Sequence, residues 1–165
     1  MSRWSKDLGP GDWVTAVSLW EPWASLMAVG AKRIETRHWP THHRGPLLIC
    51  AAQRRVEHEI RDLLGQAAFR RGLAPLAPGR LVTADDLSFG HAVALVDLYD
   101  CTTVDLLLSL GAVGSDLPFG NYTPGRFGWP TTGLRRLVPF PVKGRQGLFK
   151  VRLPYDLADY PRAAA

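Results

Sequence analysis

Apolar positions in the first third of the chain recur with the spacing of short strands and one short helix. Residues 14–19 predict a strand, and the continuous apolar run at 47–52 predicts a strand that is buried on both faces. Between them, residues 22–29 have helical spacing and end before Gly30, a residue suited to the positive φ that often follows a helix. Residues 33–39 then predict a charged strand that ends at a proline.

Helix and strand patterns continue along the rest of the chain. Residues 54–70 place Val56, Ile60 and Leu63 on one side, which predicts an amphipathic helix with a basic outer face. Residues 72–86 are rich in Pro, Gly and Ala and predict a long loop. The remaining predictions are a strong strand at 92–99, a short helix at 104–110, a Gly- and Pro-rich connection at 111–128, and final strands at 127–129, 133–142 and 147–153.

The order of these elements predicts an α+β domain. The chain has about six short strands with two or three helices inserted between them, and prolines confine several of the strands to sheet edges. This combination indicates a small mixed barrel. A doubly wound parallel sheet would need a regular alternation of strands and helices, which is absent after residue 90. We therefore expect a lead-in at 1–13, one domain at 14–153 and a tail at 154–165.

The composition indicates what class of protein this is and what kind of partner it binds. A chain of 165 residues can bury a core as a single domain, and neither a membrane-spanning run nor a signal-peptide core is visible, so we expect a cytoplasmic protein. Cys50 and Cys101 are far apart in sequence and predict reduced thiols. Lys and Arg total 20 against 15 acidic residues, a balance of +5 that favours a polyanionic partner such as nucleic acid.

The strand at 33–39 carries the densest charge in the chain. In a regular strand, alternate residues share one face, so Arg33, Glu35, Arg37 and Trp39 would lie together. Such a face offers guanidinium groups for phosphate and an indole for base stacking, and Lys32 could reach it from the preceding turn. The alternative is that Glu35 merely pairs with a neighbouring arginine on a solvated strand, for about 0–1 kcal/mol.

Motifs for several common sites are missing from the sequence. The glycine-rich dinucleotide and Walker loops, H-E-x-x-H, C-x-x-C and G-x-S-x-G do not occur. His42 and His43 are adjacent in a polar loop and lack the company of metal ligands. The sequence therefore predicts no cofactor and no metal.

Several segments together resemble the ASCH domain, the activating-signal-cointegrator homology branch of the PUA-like proteins. They are residues 18–30, the pattern Gly30-x-Lys32-x-x-Glu35-x-Arg37, the tripeptide that begins at Arg44, the strand at 92–98 and the closing turn at 142–148. The resemblance extends over about residues 14–153. It implies a PUA-like β-barrel with a basic cleft beside the motif, in a family thought to bind RNA or nucleotide-like ligands.

Carried onto this sequence, the resemblance implies a site that binds RNA or a modified nucleotide, with single-stranded nucleic acid among the candidates. We expect Trp39 to stack on a base, Trp20 and Trp23 to be core or cleft-wall residues, and the protein to be a monomer. Arg145 is expected on the opposite wall, to which Arg126 and Lys143 could also contribute, whereas Arg135 and Arg136 are expected to be solvated. The predicted binding residues are Lys32, Arg33, Glu35, Arg37, Trp39, Arg44 and Arg145.

Two other functions remain open at this point. Some relatives are hydrolases, so Lys32 and Glu35 could be catalytic towards RNA phosphodiesters or an acylated nucleoside such as N4-acetylcytidine. In the amidohydrolase branch a threonine follows the lysine by three residues, whereas this chain has Glu35, and Thr36 should point to the opposite face of the strand. A protein–protein adaptor is the third reading.

Overall fold

The computed structural model describes residues 8–156. Residues 1–7 of the predicted lead-in and residues 157–165 of the predicted tail lie outside that range. The strands are β1 (Trp13–Leu19), β2 (Ile34–Arg37), β3 (Gly45–Ala51), β4 (His91–Leu98), β5 (Thr102–Thr103), β6 (Phe127–Pro141) and β7 (Leu148–Arg152). The helices are α1 (Trp23–Ala28), α2 (Glu57–Gly65), α3 (Ala67–Leu73) and α4 (Val104–Ser109), with 3-10 turns at Ala74–Leu76, Ala84–Asp86 and Gly114–Phe119.

The strands form one mixed sheet. Within residues 8–156 the order is β2-β6-β4-β3-β1-β7, and the two-residue β5 also pairs with β6. β1 and β3 are parallel, with Val17 opposite Ile49, and every other pair is antiparallel. The predicted α+β class is therefore confirmed. The predicted barrel is open, because the terminal strands β2 and β7 do not pair with each other in the described part of the chain.

Three segments differ from the sequence prediction. The helix predicted at 54–70 is two helices, because Gln66 has an extended backbone (φ −76°, ψ 137°) that interrupts the helical hydrogen bonds. The loop predicted at 72–86 contains the end of α3 and two 3-10 turns. The strands predicted at 127–129 and 133–142 are one strand, β6, in which Gly133 has a φ of 64° where the pairing with β4 becomes irregular.

Hydrophobic clusters cover both faces of the sheet. Leu47 and Ile49 of β3 face one cluster, which α1 completes with Ala24 and Met27. The alternate β3 residues, among them Leu48, face the second cluster together with residues of β1, β4 and β7. The prediction that this strand is buried on both faces is thus confirmed.

The two cysteines lie in different surroundings. Cys50 of β3 is buried in the second cluster, and desolvation raises the pKa of its thiol to about 12. Cys101 is half-buried, and its Sγ accepts a hydrogen bond from the backbone N–H of Thr41. Both thiols are free. No helix within residues 8–156 is both long and apolar enough to cross a membrane.

A third cluster fixes α3 against α1 and the turn at Gly114–Phe119. Phe69 and Leu73 of α3 pack on Leu26 and Phe119, and the rings of Phe69 and Phe119 meet edge to face at 5.3 Å. Gly72 permits this close approach, because a Cβ at that position would lie 2.8 Å from the Leu26 side chain and 3.2 Å from Phe119.

Gly72 and Gly65 provide a matched test of this packing. Gly72→Ala should destabilise the fold by about 1–3 kcal/mol because its methyl group would overpack the third cluster. Gly65→Ala, in the neighbouring helix, has no atom within 4 Å of the added Cβ, and better helix propensity should leave stability unchanged or raise it by up to about 1 kcal/mol. The midpoints of urea unfolding would report the stability of both variants. Equal changes in stability for the two substitutions would contradict this description of the α1–α3 interface.

Candidate functional site

Lys32 lies at the turn that follows α1. Gly30 adopts the predicted positive φ, at 80°, and the Lys32 N–H donates to Leu26 O at 3.1 Å. The Lys32 side chain then turns inward, so that only 2% of the residue is exposed. Its Nζ donates to Ile34 O at 2.6 Å and to Phe119 O at 3.0 Å, and lies 3.4 Å from Glu35 Oε2. Two carbonyl groups and one carboxylate therefore surround the ammonium group, as a buried charge requires.

Glu35 links Lys32 to Arg37. Glu35 is 8% exposed, and its Oε1 lies 3.1 Å from Arg37 Nε. Arg37 Nη2 also donates to Ser18 O at 2.7 Å, and the guanidinium carbon lies 5.9 Å from the centre of the Trp39 ring. These contacts form an ordered chain of two cations and one carboxylate, which we call the Lys32–Glu35–Arg37 chain. Its burial excludes the alternative of a merely solvated ion pair on β2.

Asp116 brings Phe119 to Lys32. Its buried Oδ1 accepts hydrogen bonds from the backbone N–H groups of Arg33 (2.6 Å) and Ile34 (3.0 Å). These bonds tie the turn at Gly114–Phe119 to the start of β2, which holds Phe119 O at the lysine. Sequence reasoning missed this carboxylate, because nothing in the local pattern indicates contact across more than 80 residues.

Tyr122 lies in the same environment. Burial is the largest effect that raises the pKa of its phenol, and the negative charges of Asp116 and Glu35 raise it further. The Tyr122 hydroxyl is buried without a hydrogen-bond partner among the described residues. Thr36 meets the same segment from β2, because its Oγ1 accepts the Asn121 N–H at 2.9 Å.

A cleft of about 700 Å³ opens beside this chain, within the usual range for ligand sites. Arg37 and Arg126 line it together with Lys32, and Glu35 is the carboxylate that accompanies them. Arg126 Nη2 donates to Thr36 O at 3.4 Å. The other lining residues are mostly aromatic, apolar or amide side chains, including Trp20, Trp23, Leu63, Gln66, Phe69, Phe119 and Asn121.

Trp20 is the most accessible aromatic residue of the cleft. It is 54% exposed, and the Arg54 guanidinium carbon lies 4.2 Å from the centre of its ring. Arg54 is held in turn by Glu59, with hydrogen bonds of 2.7 and 2.9 Å. Because planar arginine stacks well on an indole and this one is fixed by a carboxylate, the Trp20 ring is supported on one side.

Two predicted binding residues of the charged strand lie outside the cleft lining. β2 begins at Ile34 and ends at Arg37, so the alternation of faces does not extend to Arg33 or Trp39. Arg33 is exposed, and Trp39 packs edge to face on the buried Trp129 with ring centres 4.7 Å apart. Trp20, rather than Trp39, therefore presents an indole to the cleft.

The two remaining predicted residues lie elsewhere on the surface. Arg44 is exposed, donates to the carbonyl groups of Thr41 and His43, and lies 3.5 Å from Asp100. Arg145 lines a second groove beside β7. The structure therefore brings Lys32, Glu35 and Arg37 together and leaves the other four predicted residues outside. Arg126, a candidate for the opposite wall, does line the cleft.

Metal binding has no support from side-chain geometry. Within residues 8–156, no three His, Cys, Asp or Glu side chains are grouped closely enough to hold an ion. His43 Nε2 instead lies 2.9 Å from Pro46 O, and the Asp116 carboxylate is occupied by backbone donors.

The chain is similar to a known domain family and to known proteins. The family model for the ASCH domain matches residues 17–122 of this chain. Two curated relatives, Activating signal cointegrator 1 of Mus musculus and of Homo sapiens, are each 40% identical over 93 residues, or 55% of this chain. The match spans only 14% of the length of each relative.

A solved structure shares the fold. The crystal structure of ASCH from Zymomonas mobilis superposes with a TM-score of 0.51, covers 84% of this chain and 87% of its own, and is 14% identical. At this identity the likeness concerns the fold alone.

Lys32 and Lys150 provide a matched test of the buried charge. Lys32→Met should lower the free energy of unfolding by about 3–5 kcal/mol, because it leaves Glu35 and two carbonyl groups without their partner. Lys150→Met removes an exposed ammonium that donates to Thr15 Oγ1 and should cost about 1 kcal/mol or less. Urea unfolding measures the free energy of unfolding of both variants. A loss of stability in Lys32→Met no larger than that in Lys150→Met would contradict the structural role of Lys32.

Proposed function

This chain belongs to the ASCH domain family, and we propose that the cleft beside its Lys32–Glu35–Arg37 chain binds single-stranded RNA or one nucleotide exposed from it. The observation that carries the proposal is that one cleft is lined by both cationic and aromatic side chains. Part of the lining is cationic, with Arg37 and Arg126 (the cationic wall), and part is aromatic, with Trp20 and Trp23 (the aromatic wall). This combination suits a ligand that is both anionic and planar.

The cationic wall is suited to phosphate. Arginine presents a rigid fork of donors that matches phosphate oxygens. Arg37 is fixed by Glu35 and by Ser18 O, so little further ordering is needed when a ligand binds. Two arginines and a lysine outnumber the single carboxylate, Glu35, in the cleft lining, so an anion is favoured.

The aromatic wall is suited to a base. Trp20 lines the cleft and is exposed, and Arg54, which does not line the cleft, stacks on its ring. A base stacked on such a ring needs no particular hydrogen-bond pattern, so this contact predicts weak sequence preference. Trp39 acts indirectly in this proposal, by packing between Arg37 and Trp129.

The contacts of Lys32 favour binding over hydrolysis. A lysine that activates a hydroxyl must contact it, but the partners of Lys32 in the described part of the chain are two carbonyl groups and the Glu35 carboxylate. We therefore assign Lys32 and Glu35 the task of positioning Arg37 and the turn at Phe119. A bound RNA should be recovered intact, and N4-acetylcytidine should not be turned over.

The central test replaces the exposed indole. Trp20→Ala should weaken binding of an RNA of about three nucleotides by roughly 1–3 kcal/mol, or about five- to 150-fold, because one base loses its stacking surface. Fluorescence anisotropy of labelled RNA measures the affinity. The binding of the parent protein should also weaken as salt is raised, because phosphate contacts release counterions.

Tyr99→Ala is the matched control. Tyr99 is a comparably exposed aromatic residue, at 59%, and does not line the cleft. Its removal should leave RNA affinity unchanged. Equal affinity in the Trp20→Ala and Tyr99→Ala proteins would contradict the proposed stacking site. RNA cleavage by the parent protein that disappears in a Lys32→Ala protein shown by circular dichroism to be folded would replace binding with hydrolysis.

A further inference from the structure

A second basic groove lies outside the cleft. It has a volume of about 370 Å³ and runs between the end of β6 and strand β7. Four cationic side chains line it: Lys143, Arg145, Lys150 and Arg152. The lining contains no acidic residue, and none of the four cations forms an ion pair with a carboxylate of residues 8–156.

Three arginines near α2 differ from the groove cations in this respect. Arg54, Arg55 and Arg80 are each paired with a carboxylate. In the groove, Lys150 donates to Thr15 Oγ1 and Arg152 Nε donates to Gly11 O, so both are anchored by neutral acceptors, and neither pairs with a carboxylate of residues 8–156. Cations without a carboxylate partner favour an anionic ligand.

The groove and the cleft adjoin at one contact. Gly144 separates Lys143 from Arg145, and a Cβ on Gly144 would lie only 2.6 Å from Ser18 Oγ. Ser18 lines the cleft, and its carbonyl group accepts the hydrogen bond from Arg37. The turn with the two exposed cations therefore packs on a residue of the cleft lining whose carbonyl group holds the arginine proposed to bind phosphate.

From this continuity we infer that a single-stranded RNA bound in the cleft continues over the turn at Gly144 into the basic groove, where Lys143 and Arg145 bind its backbone phosphates. The inference rests on the proposed function of the cleft and extends it from one nucleotide to a strand. A spaced row of cations suits a backbone with regularly repeated charges. The exposed position of both side chains suits sequence-independent contact.

The test compares two RNA lengths. An RNA of about three nucleotides should occupy the cleft alone, whereas one of about twelve should also reach the groove. The double variant Lys143→Gln, Arg145→Gln should bind the short RNA like the parent. It should bind the long RNA more weakly, and the slope of log affinity against log salt should fall by about 1.4, for two lost contacts with a single strand.

Arg61→Gln, Arg71→Gln is the matched control. Both arginines are exposed and lie two residues from cleft residues Leu63 and Phe69, which places them on the opposite side of their helices. This variant removes the same charge and should retain the affinity and salt slope of the parent for long RNA. An equal loss in both double variants would show a general charge effect and overturn the groove assignment.

The remaining outcomes separate the two sites. If the parent binds short RNA but the groove variant has unchanged affinity and salt slope for long RNA, the groove assignment is wrong and the cleft stands. If the parent binds neither RNA, both proposals fail. If a labelled oligoglutamate binds the parent and is lost in the groove variant while long-RNA affinity is unchanged, the groove takes an acidic peptide instead, which also overturns the RNA assignment.

Discussion

The architecture of the cleft depends on stabilising one buried charge, the ammonium group of Lys32. Removing such a group from water costs several kcal/mol unless its hydrogens find acceptors. Two of the acceptors are backbone carbonyl groups, of Ile34 and Phe119, that belong to segments far apart in the sequence. The charge can therefore be stabilised only when β2 and the turn at Gly114–Phe119 come together, and Asp116 reinforces that arrangement through two backbone N–H groups.

The same constraint gives the cleft its chemistry. Glu35 forms an ion pair with Lys32, and its other oxygen faces Arg37, so the buried lysine fixes the direction of a partly exposed arginine. Phe119, whose carbonyl group accepts from Lys32, also packs its ring on Phe69, another residue of the cleft lining. One ion-paired chain thus connects the cationic and the aromatic parts of the cleft. A binding surface built this way is ordered before any ligand arrives.

The sequence predicts those features that depend on local pattern. The continuous apolar run of β3 and the positive φ of Gly30 follow from periodicity and from backbone sterics, and the motif correctly groups Lys32, Glu35 and Arg37. Local pattern does not reveal where a strand stops, so it groups Arg33 and Trp39 with Glu35 and Arg37, although β2 spans only Ile34–Arg37. The contacts of Asp116 and the open edge of the sheet depend on segments distant in sequence, and no spacing rule encodes them.

The most direct test of the account is to follow the backbone and indole N–H signals of isotope-labelled protein by NMR while a short single-stranded RNA is added. The account predicts that the largest chemical-shift changes occur at the Trp20 indole and at the backbone N–H groups of Arg37, His38 and Asn121. All four residues line the cleft. It also predicts little change at Tyr99, which lies outside it. Saturable shifts confined to other surfaces, with these cleft signals unmoved, would contradict it.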